Sequence, residues 1–338
     1  MAKKRSWASR FILLAALCGI LALLAFLQTR RFAEQPLALD QDTVQFTVEK
    51  GDGLNRILPK MRAAGITRGA DWQWKALALQ LGMSGRIHVG DYRISRQDSP
   101  AEVLRKLAVG DTARVKFTLV EGWSFKQLMQ QLKDLPEPVD DVTGLSPSEV
   151  MALVGKKGMH PEGRFLPDTY FVPLSGKKSR ILIDAAAAMD KALAEAWAGR
   201  DKALPLQSAE QLLVLASIVE KETGQASERQ QIAGVFVRRL QADMRLQTDP
   251  TVIYGMGDSY QGNIRKQDLR RDTPYNTYTR AGLPPTPIAM PGRAALLASA
   301  HPAGGDALYF VAKGNGEHLF SASYDAHRKA VQTYQKKQ

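Results

Sequence analysis

The sequence predicts an α+β protein: an N-terminal transmembrane helix, a small α+β subdomain and a larger α+β catalytic domain. Three observations carry that prediction. Phe11 to Leu27 reads FILLAALCGILALLAFL without a charge. Val44–Val48 and Arg114–Val120 alternate at period two, as half-buried strands do. Beyond Glu121 helical spacing dominates, with repeated N-terminal capping signals.

The apolar run spans about 26 Å as a helix, just enough for a bilayer core. Two origins compete, a secretory signal and an uncleaved anchor. A signal would end in small residues at a cleavage site, whereas this run ends Ala25-Phe26-Leu27-Gln28-Thr29-Arg30-Arg31. The anchor is the expectation. Lys3, Lys4, Arg5 and Arg10 precede the span, which predicts a cytoplasmic N-terminus and a chain outside the cytoplasmic membrane after Phe32. Cys18, the one cysteine, falls inside the span, so no intramolecular disulfide can form.

The expected organisation is a tail and anchor over 1–33, a polar linker over 34–43, a small subdomain over 44–120 and a catalytic domain over 121–338. In the small subdomain, strand Val44–Val48 leads through Glu49-Lys-Gly-Asp-Gly53 into a helix over Leu54–Ala64, with Pro59 arguing against a straight one. A second helix over Ala70–Leu81, a strand over Val89–Ile94, a capping-box helix from Ser99 and a strand over Arg114–Val120 complete it. The order strand, Gly-Asp turn, helix, helix, strand resembles LysM-type modules, which bind N-acetylglucosamine polymers. A generic small α+β unit fits the same order.

In the larger domain Ser124, Ser146 and Ser208 each open a helix with Gln or Glu three residues on. Ile181–Arg200 is a long alanine-rich helix. Glu162–Tyr170 reads as a short loop, and Thr273–Ile288 as a long, Pro-stiffened one.

The charge of +12 suits an anionic partner, and location makes a cell-wall polymer the candidate. No basic run interleaved with aromatics is present, which argues against nucleic acid. The five histidines are scattered without metal-ligand spacing, so neither a metal nor a cofactor is expected.

The helix from Ala209 is apolar on nearly every side between Leu212 and Val219, yet ends Glu220-Lys221-Glu222 before Gly224, a natural C-terminal cap. At that end the helix dipole disfavours anions, and partial burial pushes a carboxyl pKa up. A carboxylic acid kept protonated near neutrality is what a general acid requires. Two readings remain: Glu220 is that acid, or it pairs with an arginine while Lys221 and Glu222 form a solvated end. Asp249 before Pro250 reads as a helix N-cap. Tyr275, Asn276 and Tyr278 supply stacking faces and an amide of the kind sugar rings accept.

These segments together resemble the MltG-type (YceG-like) family of endolytic murein transglycosylases. The resemblance rests on Glu162–Tyr170, Ala216–Thr223, Leu246–Val252, Pro274–Tyr278, Gly282–Ile288 and Tyr309–Gly316, the last a strand and Gly-Asn-Gly turn leading to His318–Ser321. It implies a lyase that cleaves the β-1,4 bond between N-acetylmuramic acid and N-acetylglucosamine within strands. The muramyl C6 hydroxyl, rather than water, attacks C1 and leaves a 1,6-anhydro end. By the same resemblance Glu220 is the catalytic acid/base. Gln247, Asp249, Tyr275, Asn276 and Tyr278 are the candidate strand-holding residues, and Glu222 or Asp249 a candidate electrostatic support. The resemblance further implies a role in terminating nascent strands, with penicillin-binding protein synthases as partners. A non-catalytic wall-binding scaffold and a water-using muramidase with Asp249 opposite Glu220 are the alternatives.

Overall fold

In the computed structural model, residues 2–83 and 85–334 are described. They divide into two compact units, 1–115 with 173–175, and 116–172 with 176–338.

The first unit opens with α1 (Ala2–Glu34), whose large apolar side chains Phe11, Ile12, Leu13, Leu14, Leu17, Ile20, Leu21, Leu23, Leu24, Phe26 and Leu27 are exposed. Its stretch Arg10–Glu34 is long and apolar enough to cross a membrane, with a mean hydropathy of 2.6. β1 (Thr43–Val48), α2 (Leu54–Ala63), α3 (Asp71–Gln80), β2 (Gly90–Ser95) and α4 (Pro100–Val109) follow. β1 and β2 pair antiparallel from Thr43↔Ser95 to Val48↔Gly90. Val44, Phe46 and Val48 point inward while their neighbours face solvent, the expected period of two. α2 continues through Pro59. Ser99 caps α4 reciprocally with Glu102, as a capping box should.

Within the segment 34–43, expected to be a polar linker, two residues are packed. Leu37 and Leu39 are buried, and the Leu37 amide donates to the Asp98 carbonyl at 2.8 Å. Phe32 near the end of α1 sits edge-on to Trp74 at 5.3 Å. The helix therefore runs directly into this core, because its last apolar residues belong to it.

The second unit contains β3 (Arg114–Leu119), whose first two residues fall in the first unit, then α5 (Phe125–Asp134), α6 (Pro147–Leu153), β4 (Asp168–Pro173), α7 (Ser179–Gly199), α8 (Ala209–Glu222), α9 (Arg229–Gln241), α10 (Asp249–Met256), α11 (Lys266–Arg270), α12 (Arg293–Ala300), β5 (Tyr309–Ala312), β6 (His318–Ser321) and α13 (Tyr324–Tyr334). The sequence segment Glu162–Tyr170, read as one loop, ends in β4, which pairs with β3. β5 and β6 form an antiparallel hairpin from Tyr309↔Ser321 to Ala312↔His318.

α8 is the axis of this unit. Leu212 through Val219 are all buried, and α7, α9, α10 and α12 pack around them. A helix without a polar face must be enclosed on every side, and this one is. Ser208 accepts from the Gln211 amide, but the Gln211 side chain takes the Gln207 amide rather than that of Ser208, so only half a capping box forms. At the other end Thr223 is extended and Gly224 does not adopt the left-handed conformation expected of a capping glycine.

Candidate active site

Side chains two apart on a helix diverge by about 200°. Glu220 and Glu222, in the last turn of α8, accordingly meet different neighbours.

Glu220 is nearly enclosed, its side chain 5% exposed. Oε2 accepts a hydrogen bond from the Gly292 amide at 2.8 Å, and Oε1 stands 3.8 Å from the Arg229 guanidinium. Burial pushes its pKa above the ordinary value. The Gly292 amide opposes that shift, the Glu121 carboxylate adds to it, and Arg229 and Lys221 oppose it. Glu121 stands 3.7 Å from the same arginine. A Cβ on Gly292 would lie 2.0 Å from Glu121 Oε1, so only glycine there lets this carboxylate approach.

Two loops hold this end of α8. The Gly122 amide donates to Met290 O at 2.9 Å, and the Met290 amide to Trp123 O at 2.7 Å. Lys221 Nζ reaches Gly122 O at 3.2 Å. One turn back, the buried Ser217 hydroxyl donates to Val214 O and accepts from the Ile288 amide at 3.0 Å, which ties the Pro-rich loop to the helix.

A further carboxyl is buried in the same unit. Glu162 accepts from the Phe125 amide at 2.9 Å, and burial raises its pKa to about 7, against the lowering effect of that amide and of the Tyr254 hydroxyl. Gly163 beside it has φ +78°, and a Cβ there would meet Pro287 at 2.6 Å.

Glu222 turns toward a cavity of about 460 Å³ lined by Arg239, Gln247, Asp249, Tyr278, Tyr309 and the β5–β6 hairpin, among others. Burial raises its pKa to about 7. The Thr248 hydroxyl, which donates to it, lowers it, and the Asp249 carboxylate raises it again.

The candidate residues named from sequence do not converge on Glu220. Gln247, Asp249 and Tyr278 line the Glu222 cavity instead, where the Tyr278 hydroxyl donates to Asp249 at 2.6 Å. Gln247 Oε1 accepts from Arg239 at 3.3 Å, with the Gln247 backbone at φ +53°. Asp249 is the first residue of α10 rather than its cap, which is Thr248. The Thr248 hydroxyl is engaged by Glu222 and makes no capping bond. Tyr275 packs on Tyr254 at 4.8 Å and shares a 2.8 Å hydrogen bond with Thr286.

Asn276 departs furthest from a sugar-facing role. It is 1% exposed, its amide nitrogen donates to the carbonyls of Asp268, Leu269 and Arg271, and its oxygen accepts from the Tyr278 amide. It braces its own loop, because a buried amide must satisfy all its donors and acceptors.

Glu121 and Arg229 at the Glu220 site, and Thr248 and Arg239 at the cavity, were not singled out from sequence. The one available signal was Glu121-Gly122 at the end of an alternating strand. Among the described residues no group of three His, Cys, Asp or Glu is placed to hold a metal ion.

Comparison with known proteins fits this architecture. The YceG-like family model matches residues 46–333. A Bacillus subtilis (strain 168) protein named endolytic murein transglycosylase is 30% identical over 329 residues, covering 92% of this chain and 90% of its own. A protein of that name from Streptococcus pneumoniae serotype 2 is 30% identical over 259 residues, 67% of this chain but 46% of the longer relative. Among solved structures, a yceG-like protein from Listeria monocytogenes is 26% identical with a TM-score of 0.54, over 86% of this chain and 100% of that one. The chain belongs to the YceG-like family.

Proposed function

We propose that this chain is an endolytic peptidoglycan transglycosylase, a lyase that cuts the β-1,4 bond between N-acetylmuramic acid and N-acetylglucosamine within a strand and leaves a 1,6-anhydromuramyl end. The observation that carries the reaction to a residue is the setting of Glu220. It is an enclosed carboxyl with raised pKa, steadied by one backbone amide, at the end of a helix buried from Leu212 to Val219. The similarity to relatives named for this activity supports the reaction class.

An ordinary glycosidase needs two carboxyl groups, one as acid and one as nucleophile or base. A transglycosylase needs one, because the substrate supplies its own nucleophile. Protonated Glu220 gives its proton to the leaving glycosidic oxygen as the C1–O bond breaks. As carboxylate it then takes the proton of the C6 hydroxyl, whose oxygen bonds to C1, and the acid is restored. The Gly292 amide holds Oε2 in the step that leaves Glu220 ionised. Gln247, Asp249 and Tyr278, with their cavity, are the candidate strand-holding residues; Tyr275 contributes through its loop.

Glu222 as the acid is a second reading with two observations in its favour: its carboxyl lines the cavity, and burial raises its pKa to about 7. The first glutamate of the triplet, Glu220, is the acid that the resemblance implies, which favours the first reading, and Glu222 is then a candidate electrostatic support.

On this account α1 anchors the protein in the cytoplasmic membrane with its N-terminus inside, and the small unit is a LysM-like glycan contact. Ending nascent strands beside wall synthases follows from an endolytic cut made at the membrane. Digestion of purified peptidoglycan followed by mass spectrometry tests the reaction type. Muramyl ends lighter by one water support it, and reducing ends or an intact polymer refute it.

A further inference from the structure

Arginines on α9 show what structural use looks like. Arg239 gives hydrogen bonds to the carbonyls of Leu308, Arg245 and Leu246, and Arg238 to those of Ala307 and Ala303. Arg229, at the start of the same helix, differs. Its side chain is only 14% exposed, yet among the described residues it makes no hydrogen bond, and its Nε–H is buried without a partner. Glu121 and Glu220 flank it at 3.7 and 3.8 Å, within ion-pair reach but beyond hydrogen-bond length. An enclosed donor left unsatisfied is costly, and a guanidinium is a planar fork matched to carboxylate and acyl oxygens. The guanidinium beside the proposed acid therefore has N–H groups without a hydrogen-bond partner, Nε enclosed and the outer ones at the partly exposed end of the side chain.

We propose that Arg229 recognises the substrate by donating from its outer, unpaired N–H groups to the acyl oxygen of the muramyl 3-O-lactyl arm. That oxygen is a carboxylate on a naked strand and an amide carbonyl on a stem-bearing one. The inference rests on the transglycosylase reading, which puts the muramyl ring next to Glu220 because its C1 and C6 react there. The two sugars of the strand share their N-acetyl groups, and the lactyl arm is the acyl group that only one carries. A donor that reads it sets which of the two alternating bonds is cut. Arg229 is thus a specificity-determining residue of the site.

The test compares two ligands on a protein that cannot turn them over. The full chain carrying Glu220→Gln is titrated calorimetrically with the naked tetrasaccharide (GlcNAc-MurNAc)₂ and with chitotetraose, which lacks lactyl arms. The expected result is a muramyl preference of roughly 10- to 100-fold, the usual range for a hydrogen bond to a charged group. Adding Arg229→Gln should remove that preference and leave chitotetraose affinity unchanged. Arg229→Lys, which keeps the charge and the fold but not the fork, should retain part of it. A preference that survives both substitutions, equal loss of both ligands, or no binding of either overturns the proposal. The reaction reading fails separately, if wild-type protein yields reducing ends.

Discussion

Glu220 and Glu222 leave the last turn of α8 toward separate sets of partners: the Gly292 amide, Arg229 and Glu121 for the first, the Thr248 hydroxyl and Asp249 for the second. One helix end thus presents two carboxyls of raised pKa in two settings. Substitution separates their roles. Glu220→Gln is expected to lower cleavage by about 10²–10⁴-fold, the usual share of a general acid, with an unchanged circular dichroism spectrum. Glu222→Gln should cost far less. A reversed order, read in initial rates on one glycan substrate, supports Glu222 as the acid.

The neighbours of Glu220 fix how its activity depends on pH. A general acid works while protonated, so the rate falls as pH rises through its pKa. The Glu121 carboxylate raises that pKa, while Arg229 and Lys221 lower it. Glu121→Gln should therefore move the alkaline limb of kcat/KM to lower pH. Gly292→Ala should move it the same way, because a Cβ there displaces the Glu121 carboxyl from 2.0 Å. A shift of either to higher pH contradicts the assignment.

Glu162 makes a stability prediction of definite sign. Its folded pKa of about 7 lies above the ordinary 4.5. The fold therefore favours the protonated form, and this contribution is complete below pH 4.5 and lost as pH rises through 7. Glu162→Gln keeps an acceptor for the Phe125 amide without the charge. Its unfolding free energy should match the parent's at pH 4.5 and exceed it at pH 8, by up to about 3 kcal/mol, with the denaturation midpoints following. Equal midpoints at both values would show that Glu162 ionises freely in the fold.

Ser217 links α8 to the Pro-rich loop. Ser217→Ala leaves the buried Ile288 amide without its acceptor, at a cost of about 1–3 kcal/mol. The urea midpoint should fall accordingly. An unchanged midpoint would mean that the loop is held by its other contacts alone.

Much of this was legible in the sequence because it is written locally. The run Leu212–Val219, apolar but for Ser217, implied a buried helix, and Ser99, Ser124 and Ser146 announced capping boxes that form with Glu102, Gln127 and Glu149. Most of what failed was set by distant partners. Asp249 missed its expected cap position by one residue, and the hydroxyl of the true cap, Thr248, is engaged by Glu222, 26 positions away. Asn276 looked like a ligand for sugar, and its partners are near in sequence: the carbonyls of Asp268, Leu269 and Arg271, five to eight positions earlier, reach its amide nitrogen only because their loop turns back on it. Glu121 is 99 residues from Glu220, and Arg229 sits in a polar stretch that reads as surface. The segment 34–43 looked like a linker because its polar residues hide the packing of Leu37 and Leu39.

The most direct test of the account is digestion of peptidoglycan in ¹⁸O-labelled water by the wild-type chain and by Glu220→Gln. The account predicts unlabelled anhydromuramyl ends from the wild type and no new ends from the variant. Label at the muramyl C1, or equal product from both proteins, would contradict it.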